Sequence, residues 1–262
     1  MCLIVLDWQP GLSTPLRLAA NRDEFYDRPT APLAQWQDAR DIIGGRDLRA
    51  GGTWLAAHRQ GRVAALTNVR DPEFHAPADG PSRGELVRNA LECPSLSTWL
   101  ERLGQEGAHD YAGFNLLASD GHYLWHLHHG RSGTRLQQVS PGLHGLSNAT
   151  LDTPWPKLKR SRQGLQRILA ASATSFAENA WSLLADDWRP DDTELPETGV
   201  GLELERLLSA PFITSRDYGT RASTWLTWHA SGRLEMGERS FGPYGQPLGE
   251  RRQALDLPPL KN

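Results

Sequence analysis

Cysteine, methionine and lysine are scarce in this chain of 262 residues. It has two cysteines, two methionines and only Lys157, Lys159 and Lys261 among 28 basic residues. Two cysteines, Cys2 and Cys93, exclude a disulfide framework and fit a reducing, cytoplasmic setting. No apolar run approaches the roughly 18–20 residues that span a bilayer. The longest near the start, Leu3–Leu6, stops at Asp7 and has no basic segment before it, so neither a membrane span nor a secretory signal is expected. A formal net charge of −3 lacks the basic excess of a nucleic-acid binder. The arginine bias reads as composition rather than phosphate chemistry. Disorder is excluded by 39% hydrophobic and 23% charged residues, and no internal repeat is visible. Tryptophan is plentiful: ten are scattered along the chain, and they read as core and groove-lining residues.

The patterning gives hairpins separated by helices. Leu3–Leu6 and the alternating Leu16, Leu18 and Ala20 make a first hairpin around Gly11, which brings residue 2 near residues 21–24. Trp54–Ala57 with Arg62–Thr67, Phe114–Ala118 with His122–Leu127, and Thr224–Trp228 with Leu234–Glu238 make three more. Helices are expected over Arg83–Ala90, Leu96–Leu103, Lys157–Ala170, Phe176–Leu184 and Glu203–Leu208, with a surface loop over 187–201. Without alternating βαβ units, this predicts antiparallel sheets covered by helices in one α+β domain over 1–262, with an irregular tail after about residue 245.

Several residues could carry chemistry. Methionine before a small residue is normally trimmed, which makes Cys2 a mature N-terminus bearing a thiol and an α-amine. With the amine near 7.7–8.0 and the thiol near 8.5, the amine can take the thiol proton, so the nucleophile carries its own base. Asn21-Arg22-Asp23-Glu24 ends the partner strand. There Asp23 could orient the α-ammonium, and Arg22 could lower the thiol pKa or hold an anion. Gly44-Gly45 and Gly51-Gly52 read as tight turns at strand ends. A strand rather than a helix follows them, which argues against a phosphate loop. Asn68 and Asn148 are neutral amides suited to an oxyanion, or simply turn caps. Arg221 lies just before a strand. His122, His126 and His128 share parity and read as a polar outer sheet face, their spacing matching no metal site. Cys93-Pro94 reads as a helix boundary.

Together these residues form a recognisable order. Met1-Cys2, Asn21-Arg22-Asp23-Glu24 and Gly51-Gly52-Thr53-Trp54 come first. Leu66-Thr67-Asn68-Val69-Arg70, Leu146-Ser147-Asn148, Leu151 to Lys157 and Tyr218-Gly219-Thr220-Arg221 follow. The chain resembles the NRDE-motif family, also called the transport and Golgi organisation protein 2 family, over residues 1 to about 242. That family looks like a cysteine branch of the N-terminal-nucleophile (Ntn) hydrolases, similar to penicillin V acylases and bile salt hydrolases. The resemblance implies a four-layer αββα sandwich, with Cys2 as nucleophile and Asp23 holding its amine. It implies Asn148 and Asn68 as oxyanion donors and Arg221 as a late arginine near the nucleophile. Asn21, Arg22 and Trp54 are the substrate-binding candidates. The acylases carry an Arg immediately before that Asn, where this chain has Ala20. Two functions follow: a thiol hydrolase or acyltransferase acting on an amide or thioester, or a non-catalytic carrier of haem, lipid or acyl-CoA. The first requires no cofactor; the second takes haem as a ligand. Neither reading specifies an oligomeric state.

Overall fold

The computed structural model describes residues 2–75, 77–171 and 175–260. Met1, whose removal would free the Cys2 amine, lies outside them. Strand β1 (Cys2–Trp8) pairs antiparallel with β2 (Leu16–Phe25). Strands β3 (Thr30–Gln35), β4 (Ile42–Asp47), β5 (Leu55–His58) and β6 (Arg62–Asn68) then meander. Helices α1 (Gly84–Glu92) and α2 (Leu96–Arg102) precede β7 (Phe114–Ser119), β8 (Leu124–Gly130) and β9 (Gly133–Gln138). Strand β10 (Gly142–Leu146) returns to β1. Helices α3 (Pro156–Ala170), α4 (Phe176–Leu184) and α5 (Leu202–Leu208) lead to β11 (Tyr218–Trp228), β12 (Arg233–Phe241) and β13 (Pro247–Asp256). The strands form a seven-stranded sheet in the order β3-β4-β5-β6-β7-β8-β9 and a six-stranded sheet in the order β10-β1-β2-β11-β12-β13. The chain is therefore α+β, with two antiparallel sheets and five α-helices among the described residues.

Three apolar clusters explain the packing. Ile4, Leu6, Trp8, Leu16 and Leu18 meet Leu55, Val63 and Leu117 between the sheets. Leu86, Val87, Leu91 and Leu100 of α1 and α2 cover the other face of the seven-stranded sheet at Leu116 and Leu127. Leu158, Leu165, Trp181 and Leu184 of α3 and α4 cover the six-stranded sheet at Leu3, Val5 and Trp225. With both faces of β1 covered, its alternate residues serve two different cores. This is why Leu3–Leu6 reads as an unbroken apolar run.

Several expectations are corrected. The segment after 245 is not irregular: β13 pairs with β12 from Arg233↔Asp256 to Phe241↔Pro247. Its polar sequence reflects an exposed edge strand, anchored by Leu255 and Leu257 in the inter-sheet core. Gly44-Gly45 lies inside β4 rather than in a turn. A Cβ on Gly44 would come 2.7 Å from Ala56 Cβ, and one on Gly45 2.3 Å from the Trp54 ring. These glycines therefore serve close strand packing. Arg221 lies within β11, where the pairing with β2 shifts register between Thr220 and Ala222. The histidines form no polar outer face. His122 precedes β8 in a bend, and His126, opposite Gln137 of β9, is buried at 1% exposure.

Leu255 is 3% exposed in the inter-sheet core. Leu255→Ala is expected to lower stability by about 2–5 kcal/mol, read from urea unfolding. A loss below about 0.5 kcal/mol, the range of surface substitutions, would contradict a packed terminal strand.

Candidate functional site

The site begins with register. Cys2 lies opposite Arg22 in the β1–β2 pair, and side chains on a strand alternate between faces. Cys2 and Arg22 therefore share the inter-sheet face with Ile4 and Ala20, while Asn21 and Asp23 share the helix-covered face. A cavity of about 110 Å³ opens at this end of the sheets, lined among others by Cys2, Arg22, Arg28, Trp54, Asn68 and Arg83.

The Arg22 guanidinium stacks 4.4 Å over Trp54 and donates to Thr30 Oγ1 at 3.3 Å. Arg28 pairs with Asp47 at 2.6 Å. Arg83 donates to the Gly113 carbonyl at 3.0 Å. Burial pushes the Cys2 thiol above its ordinary value, while Arg22 and the Asp23 main-chain N–H, which donates to the thiol, pull it back.

On the opposite face Asp23 is 1% exposed, and its Oδ1 accepts from Thr220 Oγ1 at 2.7 Å. Burial raises its pKa, and Lys157 and Arg70 oppose that rise. Lys157 is 2% exposed and donates to the Leu208 carbonyl at 2.9 Å. Arg70 forms an ion pair with Glu205 at 2.6 Å, both side chains at most 5% exposed, and stacks 4.7 Å from Trp155. Asn21 lies away from the cavity. Its Nδ2 donates to the Leu184 and Pro211 carbonyls at 2.8 and 2.9 Å, and its Oδ1 accepts from Ser223 at 2.6 Å.

The two asparagines divide. Asn68 lines the Cys2 cavity. Asn148 does not: it lines a larger cavity of about 890 Å³ beyond the 69–73 segment. Its Nδ2 donates to the Asn68 carbonyl at 2.9 Å, and its own carbonyl accepts from the Arg70 N–H at 2.7 Å. Arg221 is also outside the Cys2 cavity. Its Nη1 donates to the Phe25, Tyr26 and Arg28 carbonyls at 2.8, 3.1 and 3.0 Å. Of the residues singled out in the sequence, Cys2, Arg22, Asp23, Trp54 and Asn68 come together at the cavity. Asn21, Asn148 and Arg221 stand behind it.

Sequence reasoning missed Arg83, Arg70, Glu205 and Lys157. Lys157 ends the Trp155-Pro156-Lys157 motif and is one of only three lysines, which was its available signal. Also missed was a hydrogen-bond relay. Ser147 Oγ donates to the Cys2 carbonyl at 3.0 Å, and Thr67 Oγ1 donates to the Ser147 carbonyl at 2.6 Å. Asn115 Nδ2 donates to Thr67 Oγ1 at 3.1 Å and to the Ala149 carbonyl at 2.7 Å. Asn115 Oδ1 faces His126 Nε2 at 3.0 Å and His128 Nδ1 at 2.8 Å. A carbonyl oxygen can only accept, so both of these ring nitrogens carry hydrogen. Burial pulls His126 down to about 3 and lowers His128, keeping both rings neutral near pH 7. No group of three or more potential metal ligands occurs among the described residues.

Comparisons with known proteins place this geometry in context. The family model described as Transport and Golgi organisation 2 matches residues 1–243. The Transport and Golgi organization protein 2 homolog of Homo sapiens is 35% identical over 263 residues, covering 92% of this chain and 93% of that protein. The Drosophila melanogaster Transport and Golgi organization protein 2 is 29% identical over 269 residues, 91% of each chain. A variant of the conjugated bile acid hydrolase from Clostridium perfringens superposes with a TM-score of 0.54 at 8% identity, over 97% of this chain and 92% of that one. At that identity the likeness concerns the fold, which is Ntn-hydrolase-like.

Burial, with Arg70 beside it, lowers Lys157 from 10.5 to about 8. Between those values the unfolded chain binds more protons than the folded one, so this lysine makes stability rise with pH across that window. Lys157→Met removes the effect. The variant's stability relative to wild type, from urea midpoints, is expected to fall as pH rises through the window, by at most about 1.4 kcal/mol per pH unit. A difference that does not change with pH would count against a buried ammonium.

Proposed function

This chain belongs to the Transport and Golgi organisation 2 family, and from that premise we propose that it is an N-terminal-nucleophile cysteine hydrolase or acyltransferase of an amide or thioester. The observation that carries the reading is the placement of Cys2. Its thiol lies at the first residue of a buried strand, in a cavity shared with Arg22 and Asn68 and within reach of the Asp23 N–H. The order of the three cores, helix on sheet on sheet on helix, supports a four-layer αββα sandwich extending over 1–262 as one domain.

In this mechanism Met1 is removed and the freed α-amine, near 7.7–8.0, takes the thiol proton. Sγ attacks the carbonyl carbon, forming the C–S bond and an oxyanion. The Asn68 amide, with a main-chain N–H, stabilises that charge. The ammonium returns its proton to the leaving amine or thiol, and water or another acceptor then resolves the acyl-enzyme. Asp23 holds the amine, and Lys157 and Arg70 help keep its buried carboxylate ionised. Asn148 acts through the Asn68 carbonyl, and Arg221 through the 25–28 carbonyls, both as positioning residues.

A second reading, a non-catalytic carrier of haem, lipid or acyl-CoA, draws on the cavity of about 890 Å³. His128 lines it with Nδ1 committed to Asn115, so its Nε2 would be the atom available to hold haem iron.

Intact mass is expected to show loss of Met1. Cys2→Ala is expected to abolish turnover across an amide and thioester panel, and Asn68→Ala to lower kcat by about 10²–10³. Retained Met1, or full turnover by Cys2→Ala, would overturn the nucleophile. Haem or acyl-CoA binding unaffected by Cys2→Ala, with no turnover by wild type, would favour the carrier.

A further inference from the structure

Among the described residues that line the Cys2 cavity, Arg83 is a cation with no carboxylate in direct contact, only the more distant field of Glu24. Arg22 is 3.8 Å from Glu24, and Arg28 is 2.6 Å from Asp47 and 3.8 Å from Glu24. Asp23 directs its carboxylate to Thr220 on the opposite face of the sheet. Arg83 has no carboxylate within ion-pair distance among the described residues, and its one hydrogen bond is to the neutral Gly113 carbonyl. A guanidinium offers five N–H donors in a rigid fork, so most of Arg83's capacity is unspent. It is half-buried, lines the cavity with Cys2 and lies within electrostatic range of the thiol.

Size narrows the ligand. A cavity of about 110 Å³ equals roughly four waters by liquid volume. A long acyl chain would have to leave it through its open end, away from Arg83. The cavity can take a carboxylate joined to the reacting carbonyl by one or two methylenes.

We propose that Arg83 is a specificity residue that selects amides or thioesters of short dicarboxylic acids, malonyl to succinyl in size, by binding the distal carboxylate beside Cys2. This rests on the hydrolase reading for its turnover but not for its binding. The carboxylate and guanidinium form a charge-assisted pair while Sγ bonds to the carbonyl carbon. The C–N or C–S bond then breaks, and the leaving group departs with the proton held by the α-amine.

The test uses two small alkylating agents of nearly the same shape, iodoacetate and iodoacetamide. In both, the thiolate displaces iodide and forms a C–S bond, and only iodoacetate is anionic. Rates at Cys2 are read by peptide mass spectrometry, with N-acetylcysteine as reference. Relative to that reference, wild-type Cys2 is expected to prefer iodoacetate by at least about tenfold, the scale of a hydrogen bond to a charged group. Arg83→Gln is expected to abolish the preference, and Arg83→Lys to keep part of it. In wild type, added salt is expected to weaken the preference. A wild-type ratio equal to that of N-acetylcysteine overturns the proposal. So does a preference that survives Arg83→Gln, or a Cys2 that neither reagent labels in the folded protein. If Arg83→Gln fails to fold, Arg83→Lys and the salt titration decide by the same criteria. Turnover of S-succinyl against S-butyryl N-acetylcysteamine separates the two ideas. No turnover of either, with the alkylation preference intact, rejects the hydrolase and keeps the anion site.

Discussion

The pairing of β1 with β2 is the constraint on which the rest of the site depends. Strand side chains alternate with a period of two, so a slip of one residue would exchange the two faces. In the observed register Cys2 and Arg22 face the inter-sheet cavity, while Asn21 and Asp23 face the helices. A slip of β2 would take the buried Asn21 amide away from the Leu184 and Pro211 carbonyls and the Ser223 hydroxyl that satisfy it and turn it into the apolar inter-sheet core. The register is therefore held by the same burial that holds the sheets together, and the thiol is delivered to the cavity as a consequence.

That delivery places charge in the interior. Asp23, Lys157, Arg70 and Glu205 are each at most 9% exposed. An isolated buried charge is expensive, and a buried pair recovers the cost only with good geometry. Arg70 and Glu205 achieve this with a direct ion pair, extended by Thr198 N–H and Oγ donating to Glu205 at 2.9 and 2.5 Å. Asp23 is stabilised through Thr220 and the field of Lys157 and Arg70. Two cations beside Asp23 also disfavour a further positive charge, which in the proposed mechanism favours the neutral, basic form of the α-amine.

The hairpins and helices were legible because hydrophobic periodicity reports on burial. Phe176–Leu184 is read with the observed bounds, and the first hairpin places Cys2 beside residues 21–24 as expected. Strand β13 was illegible because its outward residues, such as Arg251 and Arg252, are solvated and only Leu255 and Leu257 mark its core contact. The Gly44-Gly45 pair misled because glycine marks both turns and close strand approaches, and only the position of Trp54 and Ala56 distinguishes them. Parity assigned His126 and His128 to a shared face but could not say which face was buried.

For the candidate site, the placement of Cys2 beside Arg22 was legible because both sit on one hairpin. Arg83, Arg70 and Lys157 were not, because they reach the site from segments whose docking is a tertiary fact. Strand parity and main-chain bonding explain the split among the motif residues. Asn21 faces the other side of β2, and the cavity is lined by Arg22, Asn68 and Arg83 among others. Asn148 and Arg221 instead bond main-chain carbonyls of the segments that carry Asn68 and Arg28. Each fixes the backbone from which a cavity residue projects. A carbonyl has no side-chain identity to be read in a sequence, so such second-hand roles emerge only once the chain is folded.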